Sequence, residues 1–347
     1  MSKFRCLEVG DPAPWFRQNS TSNATYAFDT AAGRYIVLCF FLTSADGLGR
    51  TMLRIIEECR SLFDDDKIAF FGISLDPSDL NEGRIRESMP GIRFFWDFDG
   101  TISRLYGAIP VDAREGQRIT TKRLWMVLDP TMRIRAVFPV KPDGSDRHEV
   151  AGYLKTLPSV DAFMGFAVQA PIIVLPNVFE PDLCRRLIGL YETHGGKESG
   201  FMREVDGKTA LLMDYGHKRR SDYTIEDDDL KTILQQKVKR RVVPEIKKVH
   251  QFEVTRMDRY IVACYDAATG GHFRPHRDDT TKGTAHRRFA LSVALNDDFD
   301  GGEVCFPEYG SRSFKVPLGG VIIFSCSLLH AVSPVIRGRR YVFLPFL

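Results

Sequence analysis

The sequence predicts two domains, an α/β N-terminal half followed by an antiparallel β-sandwich or jelly roll with flanking helices, and three observations predict it. Two almost wholly apolar runs near the N-terminus are separated by a segment of helical spacing. The periodicity then lapses around residues 158–171. Beyond residue 259 the chain turns to short apolar or alternating runs punctuated by Gly and Pro, the pattern of an antiparallel β-domain.

Taken in order, Tyr35 to Leu42 is the first apolar run and Ile68 to Leu75 the second. Between them, Arg50 to Phe63 places Met52, Ile55, Ile56, Cys59, Leu62 and Phe63 at helical spacing. Continuous apolar strands separated by an amphipathic helix indicate a parallel sheet covered on both faces, hence α/β. Arg123 to Leu128 and Ile134 to Val140, joined at Asp129 and Pro130, read as a hairpin closing the same sheet. Val174 to Phe179 opens a new pattern, in which Pro181 and Asp182 precede a helix holding Leu183, Leu187, Ile188 and Tyr191. A boundary near residue 168 follows, with domains of 1–167 and 168–347. Asp229 to His250 then carries Leu230, Ile233, Leu234, Val238, Val242, Ile246 and Val249 on one side of a helix expected to kink or split at Pro244.

Composition bounds the function more than it identifies it. The 347 residues, 44% hydrophobic and 27% charged, suit a globular protein with two real cores, and a formal charge of +3 selects no partner. Met1 to Pro14 has Lys3 and Arg5 but no apolar run behind them, which argues against a secretory signal and for a cytoplasmic protein. No apolar segment approaches the ~20 residues that span a bilayer, so a membrane role has no support. Seven cysteines, at 6, 39, 59, 184, 264, 305 and 326, are odd in number, scattered, and contain no Cys-x-x-Cys, as reduced thiols would be. The basic stretches His217 to Arg220 and Lys237 to Lys248 lack interleaved aromatics, and the second reads as the solvated face of a helix; nucleic acid is therefore not an expected partner.

The chemistry-bearing pattern lies near the C-terminus. His276, Arg277 and Asp278 form a His-x-Asp step, and residues two apart in an extended strand point to one face, so imidazole and carboxylate can meet one ion. His330 follows 54 residues later, after the apolar run Gly320 to Ser325, which reads as a strand aimed back at that pair. Two histidines and one carboxylate on one face of a metal leave three positions open, the arrangement suited to Fe(II) with a chelating co-substrate and O₂. Arg340, between Gly338 and the apolar run Tyr341 to Phe346, would offer a planar fork to the distal carboxylate of a dicarboxylic keto acid. Taken alone, each of these side chains also has a plain structural reading; the ordered combination carries the metal reading.

From about residue 172 onward the chain resembles the prolyl 4-hydroxylase-like branch of the 2-oxoglutarate and Fe(II)-dependent oxygenases. Tyr265 stands before Gly270, Gly271, His272, Phe273, Pro275, His276 and Asp278; then come Arg288, Gly301, Gly302 and Glu303, with Phe306 and Pro307. Pro317, Gly319, Phe324, His330, Pro334, Val335, Gly338 and Arg340 complete the pattern. The resemblance implies a double-stranded β-helix, iron held by His276, Asp278 and His330, and 2-oxoglutarate held by Arg340 with help from Tyr265. It also implies a dioxygenase that hydroxylates a C–H bond of a protein side chain, amino acid or small metabolite, releasing succinate and CO₂, with ascorbate as a reductant. Arg340 departs from the Lys usual in prolyl hydroxylases, and no stretch matches a peptide-binding groove. Arg288, Arg220 and His272 are further substrate-binding candidates, Arg288 and His272 being readable also as a surface or structural side chain; Arg220, Asp222 and Tyr223 are expected in a loop over the site.

Residues from about 9 to 156 resemble a peroxiredoxin domain of the alkyl hydroperoxide reductase and thiol-specific antioxidant type. Gly10, Asp11, Pro12, Pro14 and Phe16 match its opening, Val37 to Phe41 and Gly72 to Asp76 its core strands, and Arg123 to Asp129 its later Arg-led strand. The resemblance implies a thioredoxin-like fold. It does not carry the activity, because the loop Leu42 to Gly49, where the peroxidatic cysteine should stand, contains none. Cys39 and Cys59 read as buried small hydrophobes, and the domain as a non-catalytic module that docks a protein partner or is purely structural. An alternative from another class remains: a redox-partner or scaffold protein whose thioredoxin-like part responds to thiols or peroxides and whose β-domain only binds.

Overall fold

The computed structural model describes residues 3–113, 119–205 and 208–347. The chain divides into two compact units, Met1–Gln169 with Pro307–Ser311, and Ala170–Phe306 with Arg312–Leu347.

The first unit is built on a five-stranded sheet. Its strands are β1 (Tyr35–Leu42), β2 (Ile68–Ser74), β3 (Ile92–Trp96), β4 (Leu124–Leu128) and β5 (Ile134–Pro139), in the spatial order β3-β2-β1-β4-β5. The first three run parallel and the β4–β5 hairpin joins antiparallel, as in the expected thioredoxin-like fold. Every residue of β1 is buried, so its alternation has no polar face. Tyr35, Val37, Cys39 and Phe41 pack with Met52, Ile55, Val150 and Leu154 into one cluster. Ile36, Leu38 and Phe40 point the other way and are equally inaccessible.

The helix expected over residues 50–63 is not continuous. It comprises α1 (Gly47–Leu53), α2 (Ile55–Glu58) and a 3-10 turn at Arg60–Leu62. It also starts earlier than the apolar spacing suggests, because Asp46 caps it, accepting from the Gly49 amide at 2.8 Å. Gly49 is required there: a Cβ would lie 1.8 Å from the Thr43 carbonyl oxygen.

In the second unit two sheets enclose the site. The larger has seven strands, among them β6 (Ile173–Leu175), β7 (Ser221–Thr224), β8 (Ile261–Asp266), β10 (Phe289–Ala294), β12 (Val321–Ser325) and β14 (Arg339–Phe343). The smaller has five, among them Lys218–Arg219, β9 (His272–His276), β11 (Val304–Cys305) and β13 (His330–Val332). All pairings in both are antiparallel, giving the jelly-roll arrangement. Period-two alternation divides the large sheet between two cores. Val262 and Cys264 of β8 join the cluster formed with α3 (Pro181–His194), α4 (Asp228–Arg241) and α5 (Val243–His250). Ile261, Ala263 and Tyr265 face the smaller sheet, with Phe273, Val332 and Val342. Both faces are buried, which explains the uninterrupted apolar run in this antiparallel strand.

Two local expectations need correction. The long helix does split, at Val242, since Pro244 has no N–H to continue the ladder. The buried stripe keeps a spacing of four through the break, Leu230, Leu234, Val238, Val242 and Ile246, and Ile233 and Val249, expected on the buried side, lie off that stripe and are exposed. Arg220, Asp222 and Tyr223 do not lie in a loop over the site: Lys218–Arg219 forms an edge strand of the smaller sheet, and β7 is paired on both sides within the larger one.

Candidate metal centre

The antiparallel pairing of β9 with β13 sets the geometry. His276 ends β9, His330 opens β13, and the two are direct cross-strand partners after a register shift between Phe273 and His276. Pro275, which cannot donate to the ladder, lies within that irregular stretch. Asp278 follows just beyond β9, and its amide donates to the Cys326 carbonyl at 2.8 Å. The structure thus brings His276, Asp278 and His330 together: one ligating atom from each lies within 4.8 Å of the others. His330 Nε2 is 3.3 Å and His276 Nε2 3.8 Å from opposite carboxylate oxygens of Asp278.

The protonation pattern suits a cation. His276 Nδ1 bonds the Arg274 carbonyl at 2.8 Å and His330 Nδ1 the Leu328 carbonyl at 3.0 Å. A carbonyl only accepts, so each Nδ1 carries the proton and each Nε2 turns a lone pair toward Asp278. Burial, and then His330, push the His276 imidazole well below its ordinary pKa, which keeps it neutral. Burial opposes ionisation of Asp278, but His330, His276 and Arg259 outweigh it and hold the carboxyl far below the usual range. Phe273 stacks on His276 with centroids 3.4 Å apart, and Phe324 lies 4.5 Å from His330, fixing both rings between apolar walls. Two imidazoles whose Nδ1 atoms are engaged by carbonyls, with one carboxylate, fit a divalent transition metal with open positions.

Arg340 is buried in β14, opposite Tyr265 of β8. Its guanidinium lies over the Tyr265 ring at 5.2 Å, and Nη2 donates to Ser292 Oγ at 2.9 Å. Nη1 is buried with no hydrogen-bond partner. An orphaned guanidinium nitrogen inside an apolar core is costly, and a carboxylate would satisfy it. Gly302, at φ +68°, keeps the space beside it open, since a Cβ there would sit 3.0 Å from Arg340 Cδ.

The other expected residues are placed differently. Arg288 is exposed, and its guanidinium donates to the Ala285 carbonyl of its own loop at 2.8 Å. His272 Nδ1 lies 2.7 Å from the Gly270 carbonyl oxygen and Nε2 3.3 Å from that of Gly216. Arg220 is buried, holds Asp222 through two 2.7 Å bonds, and donates to the Tyr265 hydroxyl at 3.4 Å. Sequence reasoning missed Lys218, whose Nζ is buried against Ser199 Oγ at 2.8 Å and the Gly200 carbonyl at 2.5 Å. Burial, and then Arg220, push it down to about 5. Alternation from the neighbouring strand would have signalled this, because Lys218 pairs with Phe273. Arg259 and Arg287 were also missed, and no periodicity marks them.

In the first unit, the head of α1 holds a carboxylate where a thiol would be needed: Asp46 forms an ion pair with Arg123. Cys39 lies fully buried in β1, with its thiol pushed well above the ordinary value by burial, and Cys59 is likewise raised. Neither thiol is disposed to ionise.

Comparison with known proteins agrees with this division. The 2OG-Fe(II) oxygenase superfamily matches residues 260–347, and the AhpC/TSA family matches residues 9–144. A PKHD-type hydroxylase of Synechococcus sp. (strain JA-2-3B'a(2-13)) is 28% identical over 121 residues, covering 32% of this chain and 53% of the relative. One from Cupriavidus metallidurans is 37% identical over 82 residues, 21% of this chain and 36% of the relative. The chain thus spans about half the length, or less, of the curated relatives it matches. Among solved structures, a Trichoplax adhaerens prolyl hydroxylase in complex with a hypoxia inducible factor peptide fragment is 14% identical with a TM-score of 0.41, covering 51% of this chain and 82% of its own. Peroxidoxin BcpB from Mycobacterium tuberculosis is 16% identical with a TM-score of 0.37, covering 44% and 100%. Residues 260–347 therefore carry the pattern of the 2OG-Fe(II) oxygenase superfamily, and residues 9–144 that of the AhpC/TSA family.

Proposed function

We propose that the second unit is an Fe(II)- and 2-oxoglutarate-dependent dioxygenase that hydroxylates a C–H bond of a protein side chain, amino acid or small metabolite. The observation that carries this reading is the meeting of two proton-fixed imidazoles and one carboxylate within 4.8 Å, in the same barrel as a buried arginine whose Nη1 has no partner. His276, Asp278 and His330 would hold the iron, and Arg340 with Tyr265 the distal carboxylate of the keto acid. When bound, the metal supplies oxidation by O₂ coupled to decarboxylation of 2-oxoglutarate, with ascorbate keeping it ferrous. The protein's own work is positional. The carbonyls of Arg274 and Leu328 hold the two imidazoles in one tautomer, and the rings of Phe273 and Phe324 exclude water from their flanks. The match to PKHD-type hydroxylases supports hydroxylation as the outcome.

The first unit, with Asp46 and Arg123 at the head of α1 and no thiol there, is proposed as a non-catalytic docking or structural module. Among the described residues no helix is long and apolar enough to cross a membrane. The direct test is succinate formation by the purified chain given Fe(II), ascorbate and 2-oxoglutarate. The wild type should form succinate and His276→Ala should not; equal rates in the two would refute the reading.

A further inference from the structure

Four guanidiniums gather on two aromatic rings of the second unit. Arg340 and Arg220 both lie over the Tyr265 ring, at 5.2 and 5.7 Å. Arg220 is neutralised locally, because its guanidinium grips both oxygens of Asp222 at 2.7 Å. Two more guanidiniums, Arg259 and Arg287, share the ring of Phe346, at 5.2 and 3.9 Å from its centroid. That ring is held in place by paired backbone bonds of 3.0 Å between Phe346 and Asp258.

What sets this second pair apart is that, among the described residues, the acceptors facing them are distant. Arg259 Nη2 comes no nearer than 3.5 Å to Asp222 Oδ2, an oxygen that Arg220 already occupies. Arg287 Nη1 reaches the main-chain oxygen of Asp278 at 3.4 Å, and its Nε is buried with no partner. The nearby carboxylates are engaged elsewhere, Asp258 facing His286 Nε2 at 3.5 Å and Asp279 accepting from the Ser327 hydroxyl. A guanidinium has five N–H donors, and partial burial makes each uncommitted one expensive. Two such cations on one ring also repel each other. Arg259 pays further in backbone conformation, since its φ of +66° lies in the left-handed region that side chains other than Gly, Asn and Asp rarely adopt. Burial and the neighbouring Arg220 already push its pKa down to about 10. Its side chain nevertheless remains 26% exposed, so an incoming group can reach it.

We infer that the substrate carries an oxyanion, a carboxylate or a phosphate, that docks on Arg259 and Arg287 beside the metal ligand Asp278. The inference rests on the dioxygenase reading and adds the substrate's chemical class to it. An oxyanion there supplies the missing acceptors, relieves the repulsion across Phe346, and anchors the substrate next to the Asp278 main chain that Arg287 touches. It is separate from the Arg340 site, whose orphan nitrogen the keto acid would satisfy.

The test uses the full chain loaded with Mn(II) and saturating 2-oxoglutarate, so that Arg340 is occupied and no turnover intervenes. Inorganic phosphate and acetate are titrated separately by calorimetry at constant ionic strength set with chloride. At least one should bind, and Arg259→Gln and Arg287→Gln should each weaken it at least about five-fold; the anion that binds identifies the source as phosphate or carboxylate. Titration of 2-oxoglutarate into the same Mn(II)-loaded variants reports their folding. Absence of binding by both anions, or equal binding by the wild type and both variants, overturns the inference while leaving the dioxygenase reading intact. Failure of 2-oxoglutarate to bind the Mn(II)-loaded wild type overturns that reading, and this inference with it.

Discussion

Replacing Arg340 by Gln separates binding from stability, because the structure assigns the two effects opposite signs. The guanidinium is buried, donates to Ser292 Oγ at 2.9 Å, and among the described residues leaves Nη1 without a partner. Burial disfavours its charge, and its pKa is lowered accordingly. With 2-oxoglutarate absent, the cation is therefore a cost, and its removal should leave stability within about 1 kcal/mol of the wild type or raise it. With 2-oxoglutarate bound, the same side chain would make two charge-assisted bonds worth roughly 1.5–3 kcal/mol each, of which a Gln amide recovers part. A net loss of about 2–4 kcal/mol corresponds to roughly 30- to 700-fold weaker binding at 1.4 kcal/mol per decade. Anaerobic titration of the Fe(II)-dependent 2-oxoglutarate absorption band measures the first quantity, and urea unfolding of the metal-free protein the second. Affinity within about three-fold of the wild type, or a stability loss above about 2 kcal/mol, would refute the assignment of Arg340 as an unsatisfied carboxylate receptor.

Two other outcomes follow from groups outside that contact. Lys218 is pushed down to about 5 by burial and then Arg220, so between that value and the ordinary lysine pKa the unfolded chain binds a proton that the folded one does not. Stability should thus rise with pH across that window, by up to about 1.4 kcal/mol per unit from this group, and Lys218→Met should flatten the slope between pH 6 and 9 in urea unfolding; an unchanged slope would show that the lysine stays charged. Peroxide consumption by the wild-type chain should be no faster than by Cys39→Ser or Cys59→Ser, since both thiols are buried and raised; a rate lost in either variant would restore a peroxidase role.

The meeting of His276 and Asp278 was legible because it is local: two residues apart on an extended segment share a face whatever the rest of the chain does. The approach of His330 was readable only through the apolar run that precedes it, which becomes β12 and delivers β13 against β9. Arg340 was found the same way, as the inward position of a strand whose alternate residues, Tyr341 and Phe343, face the helices. By contrast, the α1–α2 break is invisible in the spacing of Met52, Ile55 and Cys59, all of which are buried whether or not the helix is continuous. Burial periodicity reports which side chains face the core, and tolerates a change in backbone hydrogen bonding between them.

The residues that escaped sequence reading share one property: their surroundings are assembled from distant segments. Arg259 belongs to the stretch before β8, Arg287 to the loop before β10, and the ring they share comes from Phe346 near the C-terminus. Each looks like a surface charge beside a strand until backbone bonds join Asp258 to Phe346. Arg288 shows why type and position alone do not decide the matter, for it adjoins Arg287, yet its guanidinium is exposed and bonded to its own loop. Adjacent residues at the end of one loop turn to different surroundings, so a one-residue difference separates a cation held beside Asp278 from one in solvent. Metal ligands can be anticipated when their spacing is short or their strands well marked. Which of several similar arginines the closed barrel turns inward is settled by long-range pairing rather than by any local signal.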